Sequence, residues 1–292
     1  MQSRGFLFTF LAALCFGSYG VWSRLMGDVF DPFYQGWTRS IIISVLIIPI
    51  LVWRGEIKRI EKADRKWVLV FAFSTALTQA PLYYAYNHME VGAAHLVFYV
   101  GMLLTMFAVG FAIYKEEITK IKLMSFASAL LGLFVMYSIS LANLAIFAAL
   151  MAILNGVASG TEIAISKKIT TNYSALYVTL ISWLAILITN LPISYALHER
   201  VAVPAFTEAW LYQIIYSLVS LFGFWFAIIG LKYIDSSIGS LIMLLEIVFA
   251  LTFGTIIFLE PFTVQKFLGA SLILLAGGLP YIQNLVANKP RQ

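Results

Sequence analysis

The sequence predicts an all-α polytopic membrane protein whose ten transmembrane helices form two inverted five-helix repeats. Three observations carry this reading. Of 292 residues, 61% are hydrophobic and 11% charged, with mean hydropathy +0.90, whereas a soluble domain carries about 25% charged residues. The charges cluster, leaving apolar stretches of roughly 20 residues, enough to cross a ~30 Å hydrocarbon core as a helix. The chain also repeats itself: residues 116–132 read EEITKIKLMSFASALLG and residues 260–276 read EPFTVQKFLGASLILLA, at an unbroken offset of 144.

Taken in order, the apolar runs lie near 5–25, 34–53, 67–87, 91–114, 121–138, 143–166, 173–196, 209–231, 236–258 and 264–286. Only helices or closed barrels satisfy their backbone hydrogen bonds in lipid, and these runs are too long and continuous for barrel strands. The first run follows Arg4 and continues well past a signal-peptide core without an A-x-A-like site at its end, so it reads as a helix. Its Cys15, the single cysteine of the chain, has no internal disulfide partner and reads as a small apolar residue. Pro81 is placed to kink the third run. The connections are short and leave no room for a soluble domain or nucleotide-binding loop. No G-x-x-x-x-G-K-[ST] run occurs, which argues against an ATP-driven pump in this chain.

The duplication divides the chain into repeats 1–140 and 141–292. Both copies keep Glu–x–x–Thr–x–x–Lys ahead of an apolar run: Glu116, Thr119, Lys122 and Glu260, Thr263, Lys266. Thr119 and Thr263 are placed to cap the fifth and tenth helices. Ile48–Pro49–Ile50 echoes Leu191–Pro192–Ile193 at an offset of 143. Lys and Arg on the N-terminal side of the helices number 15, including six in loop 54–66 and the terminal Lys289 and Arg291. The opposite side has three: Arg24, Arg200 and Lys266. The positive-inside rule then places both termini in the cytoplasm of a multi-pass cell (inner) membrane protein. The basic loop reads as a topology determinant rather than a nucleic-acid patch, and no nucleic-acid partner is expected. Five helices per repeat make the second copy enter from the other side, an inverted repeat that can alternate access by exchanging conformations.

Residues 241–260, LIMLLEIVFALTFGTIIFLE followed by Pro261, resemble the LLEPVFA…LGE signature of the EamA-type families in the drug/metabolite transporter superfamily. The first half carries a weaker version ending in Tyr114–Lys115–Glu116, and Leu14–Cys15–Phe16–Gly17–Ser18 is similar to the family's opening WGS-like segment. The resemblance covers essentially the whole chain. It implies helices 1–4 and 6–9 around a central cavity, helices 5 and 10 more peripheral, and movement of small organic metabolites, often amino-acid export. Two family prolines are absent: Ile247 stands after the motif glutamate, and Tyr99–Val100–Gly101 has none.

Ionisable groups within lipid cost at least ~2.5–3.5 kcal/mol and need a compensating role. Glu246 lies about ten residues past Ser236, or ~15 Å, near the bilayer midplane. It reads either as a proton-coupling or amine-binding carboxylate, or as a buried acceptor for a neighbouring helix. Asn155, Ser159, Glu162 and Ser166 share one face of the sixth helix. Glu162 is a second coupling candidate; its alternative is an interfacial glutamate snorkelling toward the end that carries Lys167. Gly156 and Gly160 form a G-x-x-x-G pair suited to close packing. Arg39, about six residues into the second helix, could neutralise a substrate carboxylate or be satisfied by an ion pair or carbonyls. Along the membrane normal it differs from Glu246 by ~6–9 Å.

His95, Tyr99, Met102 and Met106 share a face of the fourth helix; His95 reads as a packing residue or a proton carrier. Gln79, Tyr83 and Tyr86 lie on the third helix, and Trp22 lies a turn beyond Ser18. Trp22, Tyr83, Tyr99 and Trp225 are aromatic candidates for a cavity wall, which could stack on a flat group or hold an amine by cation–π attraction. Trp53, Trp67 and Trp210 sit near helix ends as belt residues. No second ligand stands at metal-ligand spacing, so neither metal nor cofactor is expected.

The expected function is a secondary transporter, not an enzyme. A substrate set drawn from Trp22, Arg39, Gln79, Tyr83, His95, Tyr99, Asn155, Ser159, Trp225 and Glu246 would move an amino acid or related amine or drug-like solute, with export following from the resemblance alone. Its partners would be that small molecule, the lipid bilayer and coupling protons, for a monomer or homodimer. A lipid scramblase or flippase is the competing reading. An intramembrane enzyme is disfavoured because no buried aspartate pair, H-E-x-x-H or G-x-S-x-G occurs, and a channel because no ring of charges does.

Overall fold

The computed structural model describes residues 2–137 and 145–287. The 140/141 division and the basic residues Lys289 and Arg291 lie outside the described residues. The helices are α1 (Gln2–Gly17), α2 (Tyr19–Leu25), α3 (Pro32–Arg54), α4 (Arg65–Ala76), α5 (Ala80–His88), α6 (Val91–Tyr114), α7 (Lys120–Tyr137), α8 (Ile146–Ile169), α9 (Ala175–Ala196), α10 (Glu208–Leu231), α11 (Ser236–Met243), α12 (Leu245–Phe258) and α13 (Val264–Ala287). They make ten spans long and apolar enough to cross a membrane. Many of the side chains that such spans turn outward are large and apolar; Trp53, near the end of α3, is 84% exposed.

Three spans are each interrupted by a tight turn; only the third, with Pro81, was expected to kink. The first breaks at Ser18, whose hydroxyl donates to the Cys15 carbonyl at 2.7 Å, a local bond that competes with the helical ladder. The third breaks at residues 77–79, ahead of Pro81, whose ring cannot continue the preceding helix. The ninth breaks at Leu244, whose carbonyl accepts from the Ile247 N–H three residues on, a 3₁₀ step. This break needs no proline, although Ile247 stands where the resembling family has one. The fourth span, α6, runs unbroken.

The packing pattern is that of a two-fold axis. The first helix of each half packs on the third and fourth helices of the other: α1 on α10, α11 and α12, and α8 on α4, α5 and α6. The second helices, α3 and α9, pack on each other, and so do the fifth, α7 and α13. Small residues permit the closest of these approaches. A Cβ on Gly156 of α8 would overlap the Phe98 carbonyl oxygen of α6 and lie 2.9 Å from the Met102 nitrogen.

The duplicated motif folds identically in both copies. Lys115 and Leu259 both adopt a left-handed conformation, with φ of 56° and 55°. Glu116 and Glu260 donate their N–H to Gly110 and Gly254. Thr119 and Thr263 cap the next helix through the Lys122 and Lys266 N–H groups, at 3.3 and 3.2 Å. Both lysines also return their ammonium to a backbone carbonyl, of Glu117 and Pro261.

Candidate functional site

Two ionisable groups from opposite repeats, Glu246 and Arg39, are enclosed within the bundle and form no ion pair with each other. The first is Glu246, in the first turn of α12 just past the Leu244 break. The break brings its backbone hard against α1: a Cβ on Gly17 would lie 2.7 Å from the Glu246 carbonyl oxygen. Its carboxyl group is within hydrogen-bonding reach of the Tyr99 hydroxyl of α6. Tyr86 and Tyr137 lie close enough to feel its charge. His95 joins the group, with Nε2 2.8 Å from the Tyr86 hydroxyl and its ring stacked 6.0 Å from that of Tyr99. A connected set of one carboxyl, one imidazole and three phenols is thus assembled from α5, α6, α7 and α12.

Glu246, Tyr86 and His95 retain accessible surface although protein encloses each of them.

The second charged group is Arg39 on α3, only 9% exposed. Its guanidinium carbon lies 4.1 Å from the ring centre of Tyr216, 5.3 Å from Trp183 and 6.0 Å from Tyr19. Tyr86 lies near enough to both Tyr216 and Glu246 to interact electrostatically with each. Arg39 forms neither an ion pair nor a carbonyl contact among the described residues; its surroundings are aromatic.

The other predicted site residues are distributed as follows. Trp22 donates its indole N–H to Ser18 at 3.1 Å and packs in the aromatic cluster that includes Tyr19 and Tyr216. Trp225 stacks on Phe226 and borders the cluster containing Trp183. Tyr83 meets Phe33 edge-on at 5.1 Å. Gln79 is engaged at both ends, donating to the Pro32 carbonyl and accepting from Asn190. Asn155 donates to the Leu77 carbonyl at 3.2 Å, bridging the break in the third span. Neither Asn155 nor Ser159 hydrogen-bonds to Arg39 or Glu246.

Glu162 corrects an expectation. It does not snorkel toward the end of the bundle; it is 5% exposed and accepts from Thr75 and Ser182 hydroxyls, each at 2.7 Å. Lys167 turns instead to the Ile234 carbonyl and Glu116, at 2.9 and 3.7 Å. Tyr19, Tyr137, Trp183 and Tyr216 were not singled out by sequence. They are four among 45 aromatic residues, and nothing local distinguishes them.

The ends of the bundle differ. At the N-terminal end Glu116 is buried and accepts from the Ser236 and Ser237 N–H groups and the Ser237 hydroxyl, capping α11. Lys122 pairs with Asp235 at 2.6 Å. A cleft of about 640 Å³ opens beside these ionic contacts, among Tyr114, Lys115, Lys167 and Pro280, and none of the Arg39 or Glu246 groups lines it. At the opposite end Glu260 caps no helix and pairs with Arg24 at 2.6 Å.

This architecture, duplicated and inverted with charged groups enclosed between the halves, defines a multi-pass α-helical membrane protein of the transporter type. The sequence model of the EamA-like transporter family matches twice, over residues 3–138 and 146–279. The chain belongs to that family, within the drug/metabolite transporter superfamily. A solved structure described only as "Crystal structure of protein" shares the fold, with a TM-score of 0.79 at 16% identity over 99% of this chain and 100% of the other. No curated protein matches in sequence.

Proposed function

We propose that the protein is a secondary active transporter that moves a small organic metabolite, an amino acid or related amine, by alternating access. The carrying observation is the enclosed set of Glu246, Tyr99, Tyr86, His95 and Tyr137 at the broken ninth span, where the two repeats meet. In transporters built from inverted repeats, substrate sites lie near the midplane at discontinuous helices. An enclosed carboxyl among hydroxyls suits a protonated amine, and it also suits a proton that exchanges with one. Glu246 is therefore the proposed coupling residue as well as a substrate ligand. Glu162, held by two hydroxyls, serves as an acceptor between α4, α8 and α9. Export is the proposed direction, from family analogy. The basic N-terminal side supports a cell-membrane orientation with both termini cytoplasmic.

The test is counterflow in proteoliposomes with amino acids and their amines, followed by the same flux under an imposed pH gradient. Wild type should respond to the gradient, whereas Glu246→Gln should exchange substrate more weakly and lose its response to the gradient. Unchanged driven flux in the variant would remove the coupling role; no exchange of any solute would remove the transport reading.

A further inference from the structure

The two ends of the bundle use the duplicated turn differently. At the N-terminal end the fourth and ninth spans meet, with α6 packed on α11. Glu116, just past α6, accepts from the Ser236 and Ser237 N–H groups that open α11. Lys122 pairs with Asp235, the residue that precedes α11. At the opposite end the same two spans do not meet: α12 has no comparable packing with α6. Yet every counterpart is present there. Glu90 precedes α6 as Asp235 precedes α11, in the same extended conformation. Val91 and Gly92 follow it where Ser236 and Ser237 follow Asp235. The Glu90 side chain is exposed, caps nothing and is unpaired among the described residues. The Lys266 ammonium meets the Pro261 carbonyl and no carboxylate among them. Glu260 rests against Gly254 as Glu116 rests against Gly110. Arg24 pairs with Glu260 at 2.6 Å as Lys167, at an offset of 143, approaches Glu116 at 3.7 Å.

We propose that the two turns engage alternately. When the N-terminal end opens, Glu260 caps α6 through the Val91 and Gly92 N–H groups, and Lys266 pairs with Glu90. The structure is then the state closed at the N-terminal end. The proposal rests on the transport reading above and names the contacts that close each end. In both closures a carboxylate fills helix N–H donors that have no partner within the helix, and meets the positive end of the helix dipole. One lysine–carboxylate pair accompanies it. Opening one end forfeits these contacts and closing the other restores them. The two states therefore stay close in energy, as populations that must exchange require. The match is incomplete in one respect. Ser237 also donates its hydroxyl to Glu116 at 2.6 Å, whereas Gly92 has none to give. The N-terminal closure is thereby the stronger by one hydrogen bond, in accord with the state seen.

The experiment is cross-linking of the reconstituted full chain carrying Cys15→Ser, Val91→Cys and Phe262→Cys. Val91 and Phe262 are exposed at the opposite end, by 50% and 46%, and their side chains make none of the proposed contacts. A short bismaleimide should link the two cysteines. The rate of linking, read by mass spectrometry of the joined peptides, follows the population closed at that end. Glu116→Gln should raise the rate and Glu260→Gln should lower it, each about tenfold, the value of one charged hydrogen-bonded contact. The link should also stop counterflow. No link, a rate indifferent to both variants, or counterflow that continues in linked protein overturns the switch, while solute exchange in the same vesicles leaves transport standing. A rate that responds to both variants without exchange of any solute keeps the switch and overturns the transport reading. If Glu116→Gln does not remain monodisperse, Glu260→Gln still decides, because in this state it disturbs an exposed ion pair.

Discussion

The two copies of the Glu–x–x–Thr–x–x–Lys turn are locally superimposable, so on sequence alone their glutamates should matter equally. The structure says otherwise. The Glu116 side chain is 5% exposed, and its oxygens accept from two backbone N–H groups and one hydroxyl at the start of α11. Glutamine in its place offers one oxygen and an amide that cannot accept. At least one buried N–H then loses its partner, at about 1–3 kcal/mol, and the negative charge at a helix N-terminus is lost, at about 0.3–1 kcal/mol. Glu116→Gln should therefore destabilise by about 1–4 kcal/mol. Glu260 forms an ion pair whose side chains are 56% and 43% exposed, the kind worth ~0–1 kcal/mol. Reversible unfolding of both variants in mixed micelles of mild detergent and dodecyl sulfate measures the two free energies side by side. Glu260→Gln costing as much as Glu116→Gln would refute the reasoning.

Other predictions follow from single contacts. Gly156→Ala drives a methyl into the α6 backbone and should cost about 1–3 kcal/mol, whereas Gly278→Ala, which meets nothing within 4 Å, should be neutral or slightly stabilising; the same unfolding assay separates them. Glu162→Gln keeps an oxygen for Thr75 and Ser182 and should hold both stability and driven flux, while Glu162→Ala strands the Ser182 hydroxyl, leaves Thr75 only the Phe71 carbonyl, and should lose about 1–3 kcal/mol. Loss of driven flux in Glu162→Gln would identify that residue as a coupling carboxylate.

The scaffold was legible because the bilayer imposes it: runs of apolar residues must be helices, and loop charges with an odd helix count dictate inversion. Thr119 and Thr263 were legible for the same local reason, since capping depends only on neighbours in sequence. The site was less so. Glu162 lies five residues before Lys167, which suggests a shared interface. Cα–Cβ bonds, however, tilt toward the helix N-terminus, and in α8 that direction leads away from Lys167, toward Thr75 and Ser182. Arg39 was visible as a charge out of place, but its surroundings come from α2, α9 and α10, and no spacing rule joins Tyr19, Trp183 and Tyr216 to it. The Leu244 break likewise has no proline to announce it.

Symmetry and chemistry part company in this molecule, and the parting is informative. At the offset of 143 marked by Pro49 and Pro192, Arg39 falls on Ser182, next to the Trp183 ring that it faces. Second helices that meet across a two-fold axis must bring equivalent positions together, so this contact marks the axis. A strictly symmetric protein would place two arginines there, and their repulsion would open the interface. Here the partner position is a small hydroxyl bound to Glu162, and the neighbouring indole takes the cation instead. At the offset of 144, Glu246 falls on Met102 and His95 on Gly239, so the opposite charge too is present once. The turn is repeated in both halves, while Arg39 and Glu246 each occur in one half alone.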